Sequence, residues 1–114
     1  MFDWTDYLKF ARNLLTSPPG PPEAAWRAAG SRAYYAALHK SREFLGIREQ
    51  TSHAEVINGL KQRPETETTA RVLERVRGKH LHADYNSGRP FAQFDAETAV
   101  ELATEVIHRL PSVS

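Results

Sequence analysis

Between residues 75 and 82 the chain reads Arg75-Val76-Arg77-Gly78-Lys79-His80-Leu81-His82. Arginine offers phosphate a planar, permanently charged fork, and histidine titrates near neutral pH, so it can take or give a proton. Metal-independent cleavage of RNA needs those abilities together. A base removes the 2′-hydroxyl proton, an acid protonates the leaving 5′-oxygen, and cations balance the charge on phosphorus. On this reading His82 is the general acid or base and Arg77 the phosphate clamp, with Arg75 and His80 as the alternative pair. Lys79 adds a further phosphate-facing charge. His82 follows Arg77 by five positions, as His80 follows Arg75, and five positions turn about 140° around an ideal helix. Convergence therefore calls for a local break, for which Gly78 is the candidate, or for a second copy of the chain. The competing reading is a solvated basic face, with His80 on its apolar side as a core or interface histidine.

Other chemistries find no support. Cysteine is absent, which removes disulfides, thiolate nucleophiles and thiolate metal sites. His80 and His82 lie two apart and diverge on a helix, and His53 has no ligand at metal spacing, so neither a metal nor another cofactor is expected. Gly88-Arg89-Pro90 reads as a turn and not as a phosphate cradle. The net charge of +1 gives no global field, so any anion site is a local patch. The first residues carry acids and no basic leader, and no apolar run approaches the ~20 residues of a membrane span. A cytoplasmic protein without membrane contact is the expectation.

The elements that position these residues are helical. In a chain of 114 residues there is room for one domain. Five segments repeat apolar residues at the 3.6-residue period. The first spans about 3 to 15, capped by Asp3. It ends in Ser17-Pro18-Pro19-Gly20-Pro21-Pro22, where prolines remove amide donors. The second, from Pro22 or Glu23 to Leu45, is rich in alanine and aromatics, stops at Gly46, and reads as the central helix. Gly30 inside it costs about 1 kcal/mol relative to alanine, which a close packing contact would explain. A short third helix follows Thr51 or Ser52, and a fourth runs from Pro64 to Tyr85 with Val72, Leu73, Val76, His80 and Ala83 inward. The fifth starts at Asp95 as its cap and closes at Pro111. Short links between amphipathic helices imply antiparallel packing in an all-α bundle. His39, flanked by Ala36 and Ala37, is expected in core or interface packing in preference to a catalytic role, and Trp4, Trp26, Tyr34 and Tyr35 are expected in the core in preference to a base-stacking surface.

Two stretches add a resemblance. Ser31-Arg32-Ala33-Tyr34-Tyr35-Ala36-Ala37-Leu38-His39 is similar to the second-helix signature of HEPN domains, and Ala83-Asp84-Tyr85-Asn86 resembles the Ala-Asp-Tyr-Asp ending of that family's next long helix. The alanine-rich last helix also matches, so the resemblance spans nearly the whole chain. It implies a four- or five-helix up-and-down bundle acting as a homodimer. Members include ribonuclease toxins whose Arg and His, four to six residues apart, meet across the dimer, and silent modules partnered with a nucleotidyltransferase or antitoxin. In relatives with the Ala-Asp-Tyr ending an Arg commonly stands four residues before the Asp, where this chain has His80. The two Arg–His registers therefore both stay open.

Two functions follow as expectations. One is a homodimeric, metal-independent endoribonuclease; the other is an inactive module that binds RNA, a nucleotide or a nucleotidyltransferase partner. Asp84, Tyr85 and Arg32 join Lys79 as expected binding residues. Arg32, charged within an apolar helix, is also expected to pair with Asp84 across the bundle, because burying it alone would cost several kcal/mol.

Overall fold

Proline at a first helical position lacks only a donor that would have been orphaned, and glycine alone enters the left-handed region cheaply. Those two rules bound the longest helix here, Pro22–Leu45, which stops at Gly46 with φ of 68°. The computed structural model describes residues 2–111. Its described residues form α1 (Thr5–Thr16), α2 (Pro22–Leu45), α3 (His53–Lys61), α4 (Glu67–Tyr85, entered through a 3₁₀ turn at Pro64–Thr66) and α5 (Gln93–Arg109). No strand occurs among them, and no helix is long and apolar enough to cross a membrane.

Local chemistry explains most of the boundaries. Ser52 accepts a hydrogen bond from the Glu55 amide and caps α3. Asp3 accepts from both the amide and the hydroxyl of Thr5, at 3.0 and 2.7 Å, and so ties the start of α1 from just outside it. Asp95 is not the cap of α5. It stands in the first turn and its carboxylate reaches back to the Ala92 amide at 2.9 Å, which is the return half of a capping box. Gly78 does not break α4, which runs unbroken from Glu67 to Tyr85.

The contacts give the helix directions. Arg27 near the start of α2 meets Ala83 of α4, and Tyr34, further along α2, meets His80. One number rises as the other falls, so these helices are antiparallel. Tyr7 and Trp4 of α1 meet Arg32 and His39 of α2 in the same opposed sense. The short α3 departs from strict alternation. Tyr34 touches His53 and Leu45 lies beside Gly59, so α3 runs in the same direction as the second half of α2. The connector that makes this possible is held by the buried Arg42, whose Nε and Nη2 both donate to the Thr51 carbonyl.

All four other helices pack on α2. Its alanines at 25, 29, 33, 36 and 37 are buried, and side chains that small let helix axes approach closely. The core they line is filled by Leu60, Leu73, Val56, Val76, Val106 and Phe91, the last wholly buried between α2 and the start of α5.

Candidate functional site

The turn-by-turn rotation of α4 distributes its basic and imidazole side chains over three directions. Arg77 lies in a groove of about 320 Å³ between α3 and α4, with His53, Ile57, Lys61, Glu74 and Leu81. Arg75, Lys79 and His82 lie in a second groove of about 330 Å³ between α4 and α5, joined by Arg89 from the connector. His80 points into the bundle and is 6% exposed. One chain therefore brings His82 together with Arg75 and Lys79, and keeps Arg77 apart from it. With α4 unbroken at Gly78, the 140° offset estimated for an ideal helix stands.

In the α4/α5 groove, Lys79 Nζ donates to Asp95 Oδ1 at 2.7 Å, and that bond, first among its surroundings, holds the Asp95 carboxyl below its ordinary range. Arg75 and Arg89 have no carboxylate partner among the described residues. The His82 ring stands edge-on to Phe91, and its Nε2 lies 3.1 Å from the Pro90 carbonyl. A carbonyl oxygen only accepts, so Nε2 carries a hydrogen and the neutral ring offers Nδ1 as its basic nitrogen. The groove thus gathers Arg75, Arg89 and His82 with Lys79, whose charge is paired with Asp95, and no carboxylate stands among its lining residues, a local arrangement suited to phosphate.

His80 sits in a different environment. Its ring stacks on Tyr34 at 4.4 Å, and its Nδ1 lies 2.9 Å from Asp84 Oδ2, out of line for a directed hydrogen bond. Burial, ahead of the opposing pull of Asp84, lowers the His80 pKa. Ser31 Oγ donates to the same Asp84 oxygen at 3.0 Å. Asp84 therefore joins α4 to α2 through Ser31, with His80 beside it on α4, and not through Arg32. The guanidinium of Arg32 lies 5.5 Å from the centre of the Tyr7 ring instead. Arg32 is only partly buried, so it can rest on an aromatic face and keep water around its charge. Tyr85 is 74% exposed, with only its ring edge near His80.

Sequence reasoning missed three participants. Arg27 donates to the carbonyls of His82, Ala83, Asn86 and Arg89, closing the end of α4. Phe91 fixes the connector beneath His82; its place just before the helix start is where a staple residue belongs, and that signal was legible. His53 has a partner in the Tyr34 hydroxyl, 2.9 Å from its Nδ1. Nothing local in the sequence links those two positions. His39, expected in core or interface packing, lies half-buried and stacked on Trp4 at 3.7 Å.

Burial first, then the nearby Arg77, pushes the His53 pKa down to about 4, while burial raises Tyr34 to about 12. The sign of the linkage follows. The folded state holds His53 neutral where the unfolded chain, titrating near 6.5, binds a proton, so stability is full above the unfolded value and declines as pH falls toward the folded one. Denaturant midpoints are expected to drop between about pH 7 and about pH 5, a range above most carboxylate titration. The decline becomes shallower in His53→Gln. Identical slopes in the two proteins would show that His53 is not held neutral. Comparison of the chain with protein-family models, with curated proteins and with solved structures finds no match in any of the three.

Proposed function

We propose that this chain is a HEPN-like helical module that binds RNA or a nucleotide-bearing partner along the α4/α5 groove. The carrying observation is the grouping of Arg75, Lys79, His82 and Arg89 along one groove with no carboxylate among its lining residues, Asp95 being paired with Lys79. The resemblance read from the sequence supports this use, because its two signatures lie on adjoining helices and touch through Ser31–Asp84. Phosphates would sit on the two free arginines, and the imidazole would face the chain between them.

The test is fluorescence anisotropy with a single-stranded RNA. Binding is expected to weaken with added salt, as counterion release requires. Reversing both free charges, Arg75→Glu with Arg89→Glu, is expected to weaken it by about tenfold or more at low salt, since each lost phosphate contact also turns repulsive. Affinity unchanged by that double reversal would remove the groove from consideration.

A ribonuclease reading has one observation in its favour: His82 shares the groove with phosphate-binding cations, and its Nδ1 is the basic nitrogen. Since Arg77 lies in the other groove, an Arg77–His82 pair would have to form between two copies, and this reading is therefore of a homodimer. Incubating total RNA with the protein in EDTA separates the two functions. Cleavage that disappears in His82→Ala supports the enzyme; intact RNA that stays bound supports the module, whether alone or with a nucleotidyltransferase or antitoxin partner.

A further inference from the structure

The α3/α4 groove has a composition of its own, and the RNA reading makes no use of it. One wall is apolar: Ala54 and Ile57 from α3, and Leu81 from α4, which is 40% exposed. Lys61 and Glu74 neutralise each other through a 3.0 Å ion pair in the lining. Arg77 has no carboxylate or carbonyl partner among the described residues and is left as the net charge of the groove.

His53 supplies a directional donor. The Tyr34 hydroxyl has His53 Nδ1 as its partner at 2.9 Å. In the tautomer where the Tyr34 hydroxyl donates to Nδ1, the imidazole hydrogen stands on Nε2. That tautomer gives the groove an imidazole N–H beside a guanidinium and an apolar face.

Gly78 lies between Arg77 and Leu81 and lines this groove. A glycine in a helix interior costs about 1 kcal/mol relative to alanine. Packing does not require it here, because an added Cβ would meet nothing within 4 Å. At Gly30, by contrast, an added Cβ would meet Phe91 at 2.9 Å. What the missing side chain leaves at position 78 is open space over the floor of the groove. The volume, about 320 Å³, falls at the small end of ligand sites, which run from roughly 300 to 1,000 Å³.

We infer that the α3/α4 groove is a binding site for a small planar aromatic anion, its ring laid on Ile57 and Leu81 across Gly78 and its charged head on Arg77 and His53. The head is a phosphate or a carboxylate, which present the same acceptor oxygens to a guanidinium. The inference stands independently of RNA binding, since its recognition groups Arg77, His53, Ile57 and Leu81 lie outside the α4/α5 groove, which shares only Gly78 with this one.

Titrations with adenosine monophosphate and with 2-naphthoate, followed by the amide signals of Ile57, Gly78 and Leu81, test it and tell the two head groups apart. At least one of the two should shift those signals saturably. Inorganic phosphate and adenosine, each lacking half of the recognition, are expected to bind about tenfold more weakly or worse. Arg77→Ala should weaken binding of the preferred ligand by about tenfold. Gly78→Leu should abolish it by filling the space; the added Cβ meets nothing within 4 Å and helix propensity improves, and an unchanged helical circular dichroism spectrum and urea midpoint check that the variant is folded. Arg75→Ala, on the other face, should change nothing. The inference fails if neither aromatic anion moves those signals at millimolar concentration, if inorganic phosphate binds as well as they do, or if Gly78→Leu binds like the parent.

Discussion

Phe91→Ala is expected to lower the free energy of unfolding by about 3–5 kcal/mol, the usual loss when a large side chain is deleted from a well-packed core. Phe91 is fully buried and sits against Gly30 and the edge of the His82 ring. The contact with Gly30 supplies a stricter test than the loss itself. A methyl added at position 30 would stand 2.9 Å from Phe91 Cζ, closer than carbon atoms tolerate, and Phe91 has no free space to move into. Gly30→Ala alone is therefore expected to destabilise by about 1–3 kcal/mol through overpacking. In a Phe91→Ala background the same change meets no ring and gains helix propensity, about 1 kcal/mol in the favourable direction. The sign of the Gly30→Ala effect should reverse between the two backgrounds, read from urea denaturation of the four proteins. Additive effects would mean that Phe91 does not occupy the space over Gly30.

That pair also shows how much of this molecule its sequence declares. Helix positions follow from apolar periodicity, and the ends of α2 from Pro22 and Gly46, because these are local properties of the chain. Gly30 is legible as a close contact, since glycine in a long helix is unfavourable without one. The identity of the contacting residue is not, because Phe91 is distant in sequence and lies in a connector without period. The same limit separates Arg27 from Arg32. Both are arginines on α2 near the expected site, and sequence alone chose Arg32 for Asp84. The rotation of α2 decides otherwise, placing Arg27 at the end of α4 and Arg32 over Tyr7. The candidate site divides in the same way. A cluster of cations and imidazoles at 75–82 is visible as composition, but its partition into two grooves and a buried histidine depends on α4 remaining unbroken at Gly78, the one residue that suggested a break.

Arg27→Ala is expected to destabilise the fold by about 2 kcal/mol, the scale of hydrogen bonds made by a charged donor to groups that lose their partner. A helix leaves its last carbonyls without amide partners. In α4 those of His82 and Ala83 accept from Arg27 Nη1, at 3.1 and 2.9 Å, and the connector carbonyls of Asn86 and Arg89 accept from Nη2, at 3.3 and 2.6 Å. Glu23 holds Nε at 2.9 Å and so fixes the plane of the fork. A positive charge at this helix end is favoured by the helix dipole as well. Lysine keeps that charge but is a point donor on a flexible stem, unable to span four carbonyls on two segments. Arg27→Lys is therefore expected to recover less than half of the loss, whereas Arg32→Ala, which opens only a partly buried cation–aromatic contact, should cost about 0.5–1 kcal/mol. Because Arg27 joins the end of α4 to the connector that carries Pro90 and Arg89, its removal should also loosen the α4/α5 groove, and RNA affinity should fall in Arg27→Ala at temperatures where the protein is still folded. If Arg27→Ala and Arg32→Ala prove equally mild in denaturant, the end of α4 is held by its packing on α2 alone, and the guanidinium contributes nothing to the position of His82.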